Sequence, residues 1–79
     1  QSAKDILITS QLRTAMIVNK NIKATNYQID TFKNKIYIYG IAITSKERDE
    51  VLIEAKQILD VDDVIASVLL VDNLRVQKN

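Results

Sequence analysis

Residues 34–43, NKIYIYGIAI, constrain the fold most, because a strand formed by them is apolar on both of its faces. Side chains alternate between the two faces of a strand, and a strand beside a core normally alternates apolar with polar residues. Here one face carries Ile36, Ile38 and Ala42, and the other carries Tyr37, Tyr39, Ile41 and Ile43. We therefore expect this strand to contact a core on one face and a second surface on the other.

Gly40, the only glycine of the chain, falls on the same face as Ile36 and Ile38. A glycine inside a strand leaves room for another part of the protein to approach closely. The sequence therefore predicts that this face lies against helices and that Gly40 lets a helix come close to the sheet.

The residues before this strand predict a helix, a loop and another strand. Ser2 and Asp5 have the spacing of a capping box. Apolar residues then recur at steps of three and four, at Ile8, Leu12, Ala15 and Met16. This spacing predicts a helix over residues 3–18. After a polar loop anchored by Ile22, residues 27–31 alternate as a half-buried strand does.

Residues 33–35, KNK, predict the turn between these two strands. Tight two-residue hairpins need residues that tolerate a positive φ. Asn34 tolerates it, whereas Lys35 in the usual glycine position would cost about 1 kcal/mol. A slightly longer turn would avoid that cost, so both turns remain open at this point.

The residues after the central strand predict a second helix and a third strand. Thr44 with Glu47, or Ser45 alone, would cap the helix, which we expect to end near Asp60. Its core-facing stripe consists of Arg48, Val51, Leu52, Ala55, Ile58 and Leu59. Residues 64–71, VIASVLLV, are rich in β-branched residues and short enough for a strand that is apolar on both faces.

Together these elements predict a single α+β domain in the order αββαβ. Two amphipathic helices and one sheet face must cover each other, so we expect a three-stranded mixed sheet with both helices packed on one face. A chain of 79 residues has room for one small core. We expect the domain to span residues 5–72, with a stub at 1–4 and a tail or linker at 73–79.

Composition argues against catalysis and cofactor binding. The chain has no cysteine and no histidine, so thiolate nucleophiles, disulfides and the usual zinc ligands are absent. Glu47, Asp49 and Glu50 fall at a helix start, and Asp62 and Asp63 fall in a turn, where we expect solvated roles. The acidic corner at 60–63, DVDD, lacks the glycine and the ligand run of a calcium loop. We expect no enzyme activity, no metal and no cofactor.

Charge is unevenly distributed along the chain, although the net charge is only +1. Residues 1–35 carry six bases and two acids, whereas residues 45–63 carry seven acids and three bases. Two solvated faces of opposite sign explain this pattern, and a functional field is the alternative. The absence of a GxxG loop and of a basic strip beside the tyrosines argues against nucleic-acid binding.

The chain shows neither a signal segment nor an apolar run near the roughly 20 residues of a membrane-spanning helix. Because it begins with Gln1, we expect a fragment or mature domain from which any targeting sequence has been removed.

In their order and spacing, several motifs resemble the BON domain, a bacterial module of αββαβ form. The resemblance covers residues 5–72 and includes the segments DILITSQLRTAMI and NKIYIYG. The matching positions are Asp5, Ile8, Leu12, Ile22, Tyr27, Ile29, Arg48, Ala55, Val61, Val64 and Val68. Lys35 and Asp60 depart from the pattern, since they stand where the family usually has glycine.

This resemblance implies a non-enzymatic domain of the bacterial cell envelope, in the periplasm and tethered to the outer membrane within a longer lipoprotein. BON domains are thought to bind phospholipid surfaces or other proteins. The chain is similar to the second domain of dual-BON outer-membrane lipoproteins, in which anionic-lipid binding is assigned to the first helix of the domain. The partners implied are an anionic phospholipid surface and another BON domain or envelope protein, or a second copy of the chain.

Two surfaces are candidates for these contacts. Apolar and basic residues on the first helix and the following loop would contact lipid, namely Leu7, Arg13, Ile17, Lys20 and Lys23. The alternative is that Ile6 and Ile17 close the ends of the core. The outer sheet face would contact protein, through Phe32, Tyr37, Tyr39, Ile41, Ile43, Leu69 and Val71, with Ile65 beside them.

We therefore expect a non-catalytic adaptor that supports the cell envelope, binding protein through its sheet and anionic lipid weakly through its first helix. The alternative is a structural oligomerisation module that builds rings or filaments without lipid contact.

Overall fold

The computed structural model describes residues 2–71, which form two helices packed on one face of a three-stranded sheet. The helices are α1 (Ala3–Val18) and α2 (Ser45–Lys56), and a short 3₁₀ helix occupies Ala24–Asn26. The strands are β1 (Tyr27–Phe32), β2 (Lys35–Ala42) and β3 (Asp63–Leu70). The predicted αββαβ order is confirmed, and the predicted tail at 73–79 lies outside the described residues.

β2 is the central strand of a mixed sheet in the order β1-β2-β3. It pairs antiparallel with β1, where Ile29 lies opposite Ile38, and parallel with β3, where Ile38 lies opposite Ala66. The parallel pair requires a crossover connection, and α2 provides it. The helices cover the face of the sheet to which Ile36, Ile38 and Ala42 belong. The buried apolar core is Ile8, Leu12, Met16, Ile22, Tyr27, Ile29, Ile36, Ile38, Ala42, Val51 and Ala55.

α1 has the predicted bounds and the predicted inner stripe. The Ser2 hydroxyl accepts a hydrogen bond from the backbone N–H of Asp5 at 3.0 Å and so caps the helix. Ile8, Leu12 and Met16 are buried against the sheet, and Ala15 is half-buried beside them.

The turn between β1 and β2 is a two-residue hairpin at Lys33 and Asn34, not a turn centred on KNK. Both residues have a positive φ, 51° at Lys33 and 66° at Asn34, and Phe32 pairs with Lys35 across the turn. This is the pattern of a type I′ hairpin, whose twist matches that of its strands. The prediction that Lys35 takes the glycine position is wrong, because Lys35 is the first residue of β2 and Asn34 takes that position.

α2 begins as predicted but ends earlier. Its cap is Thr44, whose hydroxyl accepts a hydrogen bond from the Glu47 N–H at 3.1 Å. The helix stops at Lys56 because the chain turns toward β3, and Asp60 in that turn has a φ of 67°. Leu59 lies beyond the helix end and is 80% exposed, so its predicted place in the core-facing stripe is wrong.

Gly40 lies on the helix-covered face as predicted, but the end of the 3₁₀ helix and the start of β1, not α1 or α2, occupy the space beside it. A Cβ atom at this position would lie 2.6 Å from Cδ1 of Tyr27 and 2.9 Å from its Cα, and it would also meet the carbonyl oxygen of Asn26. Gly40 therefore makes room for the start of β1 and for the buried Tyr27 ring.

Candidate interaction surfaces

The face of the sheet opposite the helices carries a row of apolar side chains. In the register of the sheet, Tyr37 lies beside Ile65 and Ile41 lies beside Leu69. Alternation along the strands places their side chains on the face that neither helix covers. We call this surface the outer patch: Tyr37, Tyr39, Ile41, Ile65 and Leu69 belong to the strands, and Ile43 and Val71 directly follow the ends of β2 and β3.

Members of the outer patch are accessible to solvent. Tyr39, Ile41, Ile43, Ile65 and Leu69 are exposed, while Tyr37 and Val71 are half-buried. A groove of about 330 Å³ beside Tyr39 and Ile41 extends the patch toward the start of β1. A contiguous exposed patch of this kind is uncommon on a monomer and often marks an interaction surface.

Phe32, predicted as part of the same surface, lies at its corner. It pairs with Lys35 at the hairpin end of the sheet and is exposed. The Nζ atom of Lys33 lies 5.4 Å from the centre of its ring, within the range of a cation–π contact. In the next row of the outer face Asp30 is opposite Tyr37, so a charged residue separates Phe32 from much of the patch.

The buried carboxylate of Asp5 fixes the hairpin that carries one end of this face. Asp5 is 3% exposed, and its carboxylate accepts hydrogen bonds from the backbone N–H groups of Lys33 at 3.1 Å and Asn34 at 3.2 Å. Burial by itself would raise the pKa of this carboxyl, but the hydrogen bonds from Asn34, Lys33 and Ser2 together hold the pKa below its ordinary value. Asp5 thus joins the first turn of α1 to the β1–β2 turn.

Glu47 has a similar role at the opposite end of β2. It is 5% exposed, and its carboxylate accepts hydrogen bonds at 2.9 Å from the backbone N–H groups of Lys23 and Ile43. The prediction of a solvated Glu47 is therefore wrong. The expectation does hold for Asp49, Asp62 and Asp63, which are exposed, whereas Glu50 is half-buried and accepts hydrogen bonds from the Asn19 and Asn21 side chains.

The Tyr27 hydroxyl is buried close to Glu47, and it has no hydrogen-bond partner among residues 2–71. Burial, and then the neighbouring Glu47 carboxylate, raise the pKa of this hydroxyl. Tyr27 is therefore a neutral core residue at physiological pH, unlike Tyr37 and Tyr39, which belong to the outer patch.

Sequence reasoning missed Asp5 and Glu47 as structural carboxylates, although their spacing carried a signal. Asp5 continues the inner stripe of α1, three residues before Ile8, and Glu47 continues that of α2, four residues before Val51. An acid on the core-facing stripe of a helix must find partners, because an unpaired buried charge is costly. Its partners here are backbone groups of distant loops, which the sequence pattern does not identify.

A second accessible surface lies on α1. Leu7 is 56% exposed and Ile17 is 66% exposed, and Ile6 and Val18 are exposed as well. The alternative that Ile6 and Ile17 close the ends of the core is therefore wrong. Four apolar side chains of α1 are therefore exposed to solvent, whereas α2 exposes Ile53 among charged residues.

Arg13, Lys20 and Lys23, the basic residues predicted for lipid contact, are all exposed around the C-terminal half of α1. Arg13 and Ile17 line the same groove, of about 270 Å³, together with Ala24, Thr25 and Tyr27. The structure thus brings one predicted cation and one predicted apolar residue together, whereas Leu7 lies toward the other end of the helix, nearly three turns from Ile17.

Within residues 2–71, no cluster of three or more acidic side chains is placed to hold a metal ion. None of the described helices is long and apolar enough to cross a membrane.

The chain matches none of the protein-family models with which it was compared. It is 35% identical over 68 residues to a protein of Anaplasma centrale described as an uncharacterized protein in the gshII 5′ region. This match covers 86% of the chain but 45% of the other protein, so the chain spans less than half the length of this relative.

Proposed function

We propose that this chain is a BON-type adaptor domain of the bacterial cell envelope, which binds a protein partner through its outer patch. The observation that carries the proposal is the uncovered apolar face of the sheet. Its core would be Tyr39, an aromatic residue of the kind enriched at interfaces, with the aliphatic Ile41 and Leu69 beside it, because the buried centre of an interface is more apolar than its rim. The periplasm and a tether to the outer membrane follow from the family resemblance and belong to the same proposal.

Photocrosslinking in the native host tests this contact. A photoreactive amino acid replaces Tyr39 in one variant and Ile53, which is exposed on α2 behind the sheet, in the control. We expect a protein adduct from position 39, identified by mass spectrometry, and none from position 53. The adduct should disappear when Ile41→Asp is added, because a carboxylate would be desolvated within the contact. Equal labelling from positions 39 and 53, or no adduct from position 39, would contradict the proposal.

A second proposed contact joins α1 to anionic phospholipid, and the observation that favours it is the exposure of apolar residues beside basic ones on that helix. Leu7 and Ile17 would enter the boundary between headgroups and acyl chains, while Arg13, Lys20 and Lys23 would meet the headgroups. Each base near such a surface contributes about 1 kcal/mol, so the attachment is weak and sensitive to salt.

Flotation with vesicles tests the lipid contact. We expect binding to vesicles that contain phosphatidylglycerol, loss of binding with phosphatidylcholine alone, and a several-fold loss for Leu7→Glu and for Arg13→Glu. The matched controls are Ile53→Glu and Lys46→Glu, which make the same changes in apolarity and charge on exposed positions of α2. Equal losses of vesicle binding for the α1 and α2 variants would mean that net charge alone explains the loss, and would contradict α1 as the lipid-binding surface.

A further inference from the structure

β3 forms an open edge of the sheet. Its hydrogen-bonded neighbour is β2, and among the described residues no strand pairs with its other side. An edge strand presents unpaired N–H and C=O groups along that side, and these groups form a template for another strand. Asp63, Ile65, Ala66, Ser67 and Leu69 are exposed, so side chains on both faces of β3 are accessible.

β3 also lacks the features that usually prevent edge-to-edge pairing. Such features are proline, lysine, a bulge, or a very short strand. β3 is eight residues long, and its ladder with β2 runs without interruption from Lys35–Asp63 to Ala42–Leu70. Its one charged residue is Asp63 at the start, and residues 64–71 carry no charge.

The sequence of β3 complements itself in an antiparallel arrangement centred on Ser67. Ser67 would face its own copy, and residues at equal distances on either side would face each other. Ile65 would then lie opposite Leu69 on the outer face, and Val64 opposite Leu70 on the helix-covered face. Every pair joins residues of the same face, so the two outer patches would form one continuous surface.

On the helix-covered face, too, the arrangement centred on Ser67 places apolar residues opposite each other. Ala66 belongs to that face by its place beside Ile38, yet it is exposed. In the arrangement centred on Ser67, Val68 of the second copy would lie opposite Ala66 and cover it.

Electrostatics permit the contact between two copies. β3 ends at Leu70, so Asp63 of one copy would lie just beyond the end of β3 in the other copy, and residues 64–70 carry no charge. No like charges would therefore meet within the paired strands, and a net charge of +1 per chain gives only weak repulsion.

We propose that two copies of this chain pair antiparallel along their β3 strands, about a two-fold axis at Ser67, to form a six-stranded sheet. The contact uses the backbone edge of β3 and includes Ile65 and Leu69 of the outer patch, but it leaves the outer faces of both sheets uncovered. Edge pairing buries less surface than a standard protein interface, so we expect a weak dimer, with a dissociation constant in the micromolar range or above.

Sedimentation of the 79-residue chain over a range of concentrations tests the proposal. We expect a monomer–dimer equilibrium for the wild type and at least a tenfold weaker dimer for Ser67→Lys, which places two ammonium groups opposite each other. The matched control is Gln28→Lys, an exposed position on the other edge strand, and Tyr39→Ser tests the outer patch. Both should dimerise like the wild type. A monomeric wild type, or an unchanged dimer for Ser67→Lys, would overturn the proposal.

Cysteine crosslinking gives a second measurement that does not depend on the stability of Ser67→Lys. Directly opposed residues of an antiparallel pair have Cα atoms about 4.5–5.5 Å apart, within the range that a disulfide spans. The chain has no cysteine of its own. Ser67→Cys should therefore form a disulfide-linked dimer under mild oxidation much faster than Gln28→Cys. Equal rates for the two variants, or loss of the dimer in Tyr39→Ser, would indicate a different contact and contradict pairing at β3.

Discussion

The two edge strands of the sheet, β1 and β3, are held in different ways. β1 buries Tyr27, Ile29 and Thr31 under the helices and turns the polar residues Gln28 and Asp30 outward. β3 has no buried residue, and its inner positions are at most half-buried. Both strands pair with β2, so the difference arises from what else contacts them.

Side-chain hydrogen bonds account for part of this difference. The Thr9 and Thr31 hydroxyl oxygens, on α1 and β1, are 2.6 Å apart, and Asp5 binds the turn that follows β1. Within residues 2–71, the corresponding bond at β3 is local, from the Val64 N–H to the Asp63 carboxylate. β1 is therefore tied to α1 by side-chain hydrogen bonds in addition to its ladder with β2, whereas the described side-chain bond at β3 does not reach another element.

Truncation of a core side chain should give the largest difference in stability loss between β1 and β3. Ile29→Ala in β1 should lower the free energy of unfolding by about 3 kcal/mol, because the site is buried and a cavity remains. Val68→Ala in β3 should lower it by about 1 kcal/mol, since the side chain is only half-buried. Urea unfolding of dilute samples, in which the chain is monomeric, measures both values. Equal losses would mean that β3 is held as firmly as β1.

Gly40→Ala tests the close contact between β2 and β1. The added methyl group would meet the backbone at Asn26 and Tyr27, which cannot move without shifting the start of β1, so we expect a loss of about 2 kcal/mol. Ala66→Ser in β3 is the control, because its neighbourhood is open, and we expect a change within about 0.5 kcal/mol. A neutral Gly40→Ala would indicate that β1 is not packed tightly against β2.

The pH dependence of stability tests the Asp5 contact. The folded state lowers the pKa of Asp5 below its ordinary value of 3.8, so this carboxylate stabilises the fold fully above that value, and the contribution is lost as pH falls through the lower folded pKa. Asp5→Asn should therefore be less stable than the wild type at neutral pH and should lose less stability on acidification.

The control for this experiment is Asp30→Asn, which neutralises an exposed carboxylate on β1. Its stability should follow that of the wild type from neutral to acid pH. If chemical denaturation gives the same acid response for both variants, Asp5 does not hold the hairpin in the way proposed.

Substitutions in the turn after β1 and in the turn before β3 should give the smallest difference in stability. Asp60→Gly, in the turn before β3, should stabilise the fold by about 0.5 kcal/mol, because glycine adopts a positive φ without steric cost. Lys33→Gly should gain less, since it also removes the contact between Lys33 and the Phe32 ring. Thermal unfolding should rank Asp60→Gly above Lys33→Gly, and the reverse order would contradict this account of the turns.

The spacing of apolar residues predicted the helices, the strands and the two faces of β2, because burial of one face imposes a regular repeat of apolar residues on the sequence. The bounds of α1 and the alternation of Tyr27, Ile29 and Thr31 are examples. The end of α2 was missed because no glycine or proline marks it, and Asp60 takes the positive φ instead.

From the sequence, the candidate surfaces could be predicted only as apolar residues that fall outside the predicted core. Ile6 and Ile17 had two interpretations, and packing of the helices was needed to decide between core and surface. Glu47 shows the opposite case, since contacts with the backbone of Lys23 and Ile43 turned an apparently solvated acid into a buried one. Long-range contacts of this kind leave no repeat in the sequence.

The contact made by Asp5 has a consequence for how freely the hairpin tip can vary. The carboxylate binds backbone N–H groups, which every residue except proline carries, so it recognises the shape of the turn and not the side chains of Lys33 and Asn34. Other pairs that adopt a positive φ, such as Asn-Gly, can replace them while the strand register is kept. The tip is therefore a site where evolution or protein engineering can exchange a recognition sequence without rebuilding the domain.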